Sequence, residues 1–480
     1  MRRYERFVTG MIVGVCFAIA SLPGVLRGED PYQTAWGRQV SATSLDIAYG
    51  VSADGLGNIY ISGTTQTKLT VQYAPEDGFT TKFDAAGNLL WTRKLGGTAS
   101  DIQTGISADK LGNVFVSGST ETALSGVHQG YKDAYVSKYN LAGTLQWTRL
   151  LGTPGGTNIA EEFYDAAADG LGNVFLAGFT IGSLAAPNQG DADVLVAKYN
   201  SAGTLVNVAQ FGTAGSEHAT GIALDPSGNY FVTGSTTGDL AGPILSSGFD
   251  AFLRKYSPDG SVLWTRQLGS TGEDRALGID IDDFGNAFIV GSTNGSLAGP
   301  IAGAQDAFVS KYDPAGNLLW TRQFGGNEDD RAQGVTADAY GNVILTGWTE
   351  TADQFDIFAT KYDSAGNLIW MQTIGSDMLD VGWGISSDST GVYIAGSTLG
   401  SPFNTNGGNY DPVLVKLIPE PASLSLALWL PALYVFICNS RKRRGKQSRL
   451  LGDSAMSNLM EPLLCNPGDA GRLRRGILRV

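Results

Sequence analysis

Seven carboxylates recur at one place in this chain. Asp46, Asp101, Glu161, Glu217, Asp274, Asp330 and Asp380 each stand eight residues before a second acidic position at a tight turn. Gathered at one end of a ring, they would form an acidic funnel for cations or basic groups. Taken singly, each would accept backbone N–H groups at a turn, and recurrence in every copy favours that role. Seven lysines recur as well: Lys82, Lys138, Lys198, Lys255, Lys311, Lys361 and Lys416, each five residues after an aspartate. That odd offset puts lysine and aspartate on opposite faces of a strand. Ion pairs between neighbouring units, or stems laid along apolar surface, are therefore favoured over a positive ring.

Only two histidines exist, His128 and His218. His218 follows Glu217 at a position where other units read Glu273-Asp274-Arg275 or Asp329-Asp330-Arg331, and such a pair could supply a general base. A single histidine in place of arginine reads as surface drift, so no catalytic residue is assigned. No Cys/His metal spacing appears, and Asp280-Ile281-Asp282-Asp283-Phe284-Gly285 lacks the order of a calcium loop. No cofactor is expected; a structural calcium is weighed and set aside. Loops of unequal length carry Tyr73, Tyr131, Phe249, Phe403 and Tyr410, which with Glu217 and His218 make the candidate binding face.

These residues must be positioned by a repeat of about 55 residues, within the range of propeller blades. Asn58, Asn113, Asn173, Asn229, Asn286 and Asn342 mark it, with Gly391 at the seventh place. Every apolar run is short, β-branched or aromatic, and bounded by Gly, Asn, Asp or Pro, so the chain is all-β. Turns such as Asp84-Ala85-Ala86-Gly87-Asn88 and Asp313-Pro314-Ala315-Gly316-Asn317 specify tight hairpins. Strands such as Val114-Phe115-Val116 are apolar on both faces, which requires each sheet to be sandwiched between neighbours. The spacing predicts a seven-bladed β-propeller of four-stranded antiparallel blades, strands A to D, with the Trp-bearing strand D outermost. The seventh copy stops at Val413-Leu414-Val415-Lys416-Leu417 without a strand D. Thr34 to Val40, containing Trp36, is expected to complete it and close the ring. Asn207 fills the fourth Trp slot, so that outer edge should pack less firmly.

The motif Asp-x-x-Gly-Asn-x-Tyr/Phe-Val/Ile-x-Gly, seen in Asp54–Gly63 and Asp109–Gly118, resembles the SBBP propeller repeats of exported bacterial proteins. The resemblance spans roughly residues 34–418 and implies fold and export more than activity.

The ends are of different character. Residues 1–30 pair an arginine-rich start with an apolar run and read as a signal peptide. Residues 31–418 form the propeller. In 419–444, Pro419-Glu420-Pro421 precedes an apolar run from Ala422 to Cys438 and then Arg441-Lys442-Arg443-Arg444, which reads as a transmembrane helix with a basic stop. This arrangement resembles PEP-CTERM sorting signals, implying an exosortase-type processing enzyme as partner. Residues 445–480 are a tail without pattern, expected to be disordered. Net charge is −13, and residues 31–420 hold 40 acidic against 19 basic side chains, which excludes nucleic acid as a partner. The expectation is an exported cell-surface module, transiently held in the membrane. It binds extracellular polysaccharide or a surface protein through the B–C loops and is not an enzyme. The rival is a polysaccharide lyase or hydrolase with a site near Glu217 and His218.

Overall fold

The computed structural model describes residues 32–419 apart from 41–44, 67–74, 156–157, 246–247, 352–353 and 408. It contains seven four-stranded antiparallel sheets. Blade 1 has strand A at Asp46–Ala53, B at Asn58–Gln66, C at Glu76–Asp84 and D at Leu89–Leu95. The A strands of blades 2 to 7 are Asp101–Ala108, Glu161–Ala168, Glu217–Leu224, Asp274–Ile281, Asp330–Ala337 and Asp380–Asp388. They line the central channel, while B and C strands are buried and the D strands form the half-exposed rim.

Ring closure follows the expected topology. Tyr32–Gln39 pairs antiparallel with strand C of blade 7, Asp411–Pro419, placing Trp36 opposite Lys416 and Gln39 opposite Val413. First and last strands thus share one sheet, which removes the free edges an open array would expose.

The recurring motif has a local cause. In each A–B turn an aspartate clamps the backbone: Asp54 accepts N–H groups of Leu56 (2.8 Å) and Asn58 (3.0 Å), and the Asn58 amide donates back at 2.6 Å. Asp84, Asp313 and Asp363 repeat the clamp in C–D turns. Gly87, at φ 78°, occupies the left-handed region that the turn needs and that a side chain would strain.

Adjacent blades are gripped at the rim. Trp91 donates to the Leu141 carbonyl at 3.3 Å and Arg93 to that of Gly143 at 2.7 Å, both in the next C–D turn, with the guanidinium stacked on the indole. Trp147 and Arg149, Trp264 and Arg266, and Trp320 and Arg322 repeat this grip. Lys82, Lys138, Lys198, Lys255, Lys311 and Lys416 add an ammonium to a carbonyl of the same turn at 3.1 to 3.5 Å. The expected interblade ion pairs need correction. Lys255, Lys311 and Lys361 pair with Asp225, Asp282 and Asp338 of their own blades, and the bond between blades goes to a carbonyl.

Two seams depart from this pattern. Blade 7 has no C–D turn, because its D strand comes from the other end of the chain. Trp370 and Gln372 of blade 6 therefore have nothing to grip: Trp370 Nε1 and Gln372 Nε2 are buried without a partner among the described residues. Tyr32 packs on Trp370 there, with ring centroids 5.2 Å apart. At the seam between blades 3 and 4, Asn207 and Ala209 replace Trp and Arg. The looseness expected there is offset by Tyr230, which stands where other blades have Val, Ile or Ala. Tyr230 stacks on Tyr256 at 4.7 Å and lies 5.1 Å from Phe175.

Candidate channel-mouth site

The seven recurring carboxylates serve the frame. Asp101 accepts from the Gly97 N–H at 2.6 Å and from the Thr120 hydroxyl. Glu217 accepts from the Thr213 N–H (2.6 Å), the Thr213 hydroxyl (2.8 Å) and the Thr236 hydroxyl (2.7 Å). All seven are buried at the D–A corner. No acidic funnel forms, and Glu217 is too fully engaged to serve His218 as a partner.

A second belt lies deeper, where A strands cross the channel. Ser52 accepts the Ala108 N–H of the next blade at 3.0 Å, Ser107 that of Ala168 at 2.9 Å, and Ser386 that of Ala53 at 3.1 Å. Thr336 meets Ser387 by a hydroxyl pair at 2.9 Å. Blades 3 and 4 have Ala167 and Ala223 at this position and cannot contribute. Asp165 gives the seam between blades 3 and 4 a bond of another kind, and Asp280 stands at the serine position of blade 5. Asp165, where the other six blades have glycine, accepts the N–H groups of Ala166 (2.8 Å) and Ile222 (2.9 Å). Asp280 accepts those of Ile281 and Ala337, both at 2.8 Å. Burial raises the Asp165 carboxyl to about 7 and the Asp280 carboxyl to about 6.

The channel encloses a cavity of about 910 Å³. At the end shared with the B–C loops, the second residue of each A strand stands next to the D–A corner, and Arg331 among them lines the channel. Around the ring these are Ile47, Ile102, Glu162, His218, Arg275, Arg331 and Val381. Four consecutive blades therefore supply ionisable groups and three supply aliphatic ones. The polar arc is built on aromatic platforms. His218 packs on Phe179 at 4.6 Å, and Phe179 on Tyr164 at 5.7 Å. Arg275 lies 3.6 Å over the Phe249 ring and pairs with Glu273 at 3.1 Å. Arg331 lies 5.2 Å over Trp348 and donates to Gln305 at 2.9 Å, while its Nε is buried without an acceptor among the described residues. Across the opening, Tyr49 meets Trp383 edge-on at 5.5 Å.

Electrostatics follow from that packing. Burial and the Arg275 guanidinium both hold the Arg331 guanidinium below its usual range. Burial, with help from Arg275, also lowers the His218 imidazole, which favours its neutral form. Burial raises the Glu162 carboxyl. Two neighbouring cations and a neutral imidazole, faced with aromatic rings, suit an anionic group carried on an apolar frame.

The structure scatters the residues expected on the binding face. Tyr73 lies outside the described residues. Tyr131 is half-exposed on its loop, beside Glu121. Phe403 packs on the closing strand, its ring filling the space a side chain at Gly37 would need, so it belongs to the rim. Tyr410 uses its carbonyl to hold Asp46 N–H. Phe249 and His218 do reach the mouth. His128 stays on its loop, 3.1 Å from the Thr120 carbonyl. Missed altogether were Glu162, Arg275, Arg331, Phe179 and Trp348. The signal was present: Phe179 and Trp348 replace the Ser or Thr of the Gly-Ser/Thr-Thr strand-B ending kept by the other blades. Asp282 spends its carboxylate on the turn clamp, and among the described residues no three His, Cys, Asp or Glu converge as metal ligands.

Residues 35–68, 90–122, 206–241 and 263–298 match the family model of the SBBP beta-propeller repeat. The chain is a seven-bladed propeller, and these four segments are similar to that repeat. An uncharacterized WD repeat-containing protein L264 of Acanthamoeba polyphaga mimivirus is 22% identical over 397 residues, covering 63% of this chain and 28% of that protein. The regulatory protein FlaEY of Caulobacter vibrioides is 26% identical over 251 residues, covering 46% of this chain and 26% of that protein. The chain thus spans about a quarter of the length of these curated relatives. Among solved structures, an ulvan lyase of polysaccharide lyase family PL25 covers 80% of this chain and 96% of its own at 12% identity and TM-score 0.48. The Neurospora crassa Pan2 WD40 domain covers 82% and 97% at 11% identity and TM-score 0.47. The polysaccharide lyase Uly1 covers 83% and 94% at 10% identity and TM-score 0.47. The expectation of a module without catalysis does not stand: the solved structures similar to this chain include two polysaccharide lyases and a puromycin hydrolase, each at 12% identity or less.

Proposed function

We propose that this propeller is exported, held at the cell surface, and binds an anionic extracellular polysaccharide at the channel mouth. The observation that carries the reading is the adjacent pair Arg275 and Arg331. Both lie on aromatic rings, and both stand in a body with a twofold excess of acidic residues. A carboxylate or sulfate between them would relieve their mutual repulsion and give Arg331 Nε its acceptor. Trp383 lines the channel and offers apolar surface for a sugar ring. Export rests on the signal-peptide character of residues 1–30. Surface retention and processing by an exosortase-type enzyme rest on residues 419–444, of which only Pro419 lies within the described residues.

The test is calorimetry of the full chain against polygalacturonate, a sulfated glycan and neutral dextran. The acidic glycans should bind, the dextran should not, and Arg275→Ala with Arg331→Ala should lose binding at least tenfold. Equal affinity for dextran, or an unchanged double variant, overturns the reading. The same samples, followed by ultraviolet absorbance for a new C=C bond, report whether bound uronate chains are also cleaved by elimination.

A further inference from the structure

Below the mouth, the A strands build the channel wall in layers. The fourth residue of each strand lines the channel, and in four blades it is large: Tyr49, Tyr164, Leu277 and Trp383. Tyr49 and Trp383 belong to adjacent blades and meet edge-on at 5.5 Å, so one side of the wall is ring surface. Three residues further along the strands the wall turns polar. Ser107 and Ser386 each accept an N–H of the next blade, at 2.9 and 3.1 Å, and each hydroxyl keeps its own proton to donate. Asp280 stands at the same level, and Asp165 one residue beyond Tyr164; both line the channel. Each takes two backbone N–H groups, and Asp280 the Thr336 hydroxyl as well, out of roughly four acceptor sites on a carboxylate. Ionised, they accept further bonds; protonated, they donate one. Flat apolar surface followed by donors and acceptors matches a pyranose, which has C–H faces and a rim of hydroxyls.

The shape of the cavity decides how a sugar chain reaches these layers. The same cavity extends from Arg331 at one end to Lys110 and Asp283, both exposed, beside the A–B turns at the other. An eight-residue A strand runs about 26 Å, so a volume of about 910 Å³ gives a mean bore of roughly 35 Å². That admits sugar rings in single file. A chain lying across the mouth meets Arg331 but neither layer below it. A chain that dips in and out needs the bore twice. Only an end can go in.

We infer that the channel is an end-group subsite, which takes the terminal sugars of an acidic polysaccharide in single file. Tyr49 and Trp383 lie against the entering rings, and Ser107, Ser386, Asp165 and Asp280 hold the hydroxyls of the last one. Arg331 meets a carboxylate or sulfate further back along the chain. The inference rests on the reading of the mouth as an anionic-glycan site, and it adds that chain ends are recognised and internal stretches are not.

Calorimetry of the full chain against equal masses of polygalacturonate, whole and partly acid-hydrolysed, tests it, with a sulfated glycan treated the same way. Protein bound per gram of glycan should rise in proportion to the reducing ends counted in each sample. Leu277→Trp narrows the bore while leaving Arg275 and Arg331 in place, and should weaken binding at least about tenfold. A capacity that follows glycan mass and ignores hydrolysis overturns the end-group subsite and spares the mouth. Leu277→Trp binding as tightly as the parent, at an unchanged thermal midpoint, does the same. A parent chain that binds neither glycan at any length overturns both readings. The capacity measurement needs the parent alone, so it decides even where the variant fails to fold.

Discussion

Asp165 accepts the Ile222 N–H of the neighbouring blade at 2.9 Å, two residues before the Leu224 N–H that a serine at Ala167 would meet. The aspartate ties blades 3 and 4 together beside the channel, but it places an ionisable group where the other six blades have glycine.

That exchange makes stability depend on pH. Burial raises the Asp165 carboxyl to about 7 and the Asp280 carboxyl to about 6, both above the unfolded value near 4. A folded pKa above the unfolded one means that the contribution is present below about pH 4 and lost as pH rises through the folded values. The thermal midpoint should therefore be higher at pH 5 than at pH 8. Asp165→Gly combined with Ala167→Ser restores the pattern of the other blades and should flatten this dependence; calorimetric scans across the range would show it.

At the seam between blades 3 and 4, Asn207 and Tyr230 are complementary. Asn207→Trp alone overfills the space Tyr230 occupies and should cost about 1–3 kcal/mol. Tyr230→Val alone leaves a void. The pair together rebuilds the seam found elsewhere and should recover most of the loss, with a coupling of at least about 1 kcal/mol in a denaturant double-mutant cycle.

Ring closure depends on the grip of the first strand. Arg38 stacks on Trp36 at 5.1 Å and donates to the Gly87 carbonyl at 2.7 Å. Trp36→Ala should destabilise the whole ring by about 2–4 kcal/mol, whereas Gln33→Ala, exposed on the same strand, should be near neutral. Urea titration of the two variants would separate a closing strand from a passive leader.

Binding of an acidic glycan should respond to His218. Its imidazole is held below the usual range, chiefly by burial and then by Arg275, which favours the neutral form. Affinity should rise as pH falls below the ordinary imidazole range and a third cation joins the pair. His218→Gln should remove that rise while leaving the affinity at pH 8 close to that of the parent. Calorimetry at four pH values is sufficient.

The frame was readable from the chain because each blade repeats the same turn chemistry: Asp54 and Asn58 write it once, and later copies confirm it. The missing strand after Leu417 was readable for the same reason. The mouth was not, because its residues lie one to a blade, more than fifty positions apart, and meet only when the A strands are arranged about an axis. His218 stood out as a lone histidine. Arg275 and Arg331 looked ordinary until Phe249 and Trp348 were found beneath them. Phe403 misled for the opposite reason: its loop lies on the expected face, yet its ring turns outward to cover Gly37.

The pairing of Tyr32 with Pro419 has a mechanical consequence. If a ligand pulls on the mouth while the chain is tethered beyond Pro419, the load runs lengthwise along Asp411–Pro419. That strand is flanked on both sides, by Gly391–Thr398 and by Tyr32–Gln39. Its hydrogen bonds then resist together in shear rather than parting one after another. The blade that lacks a covalent corner is thus the one oriented to bear tension.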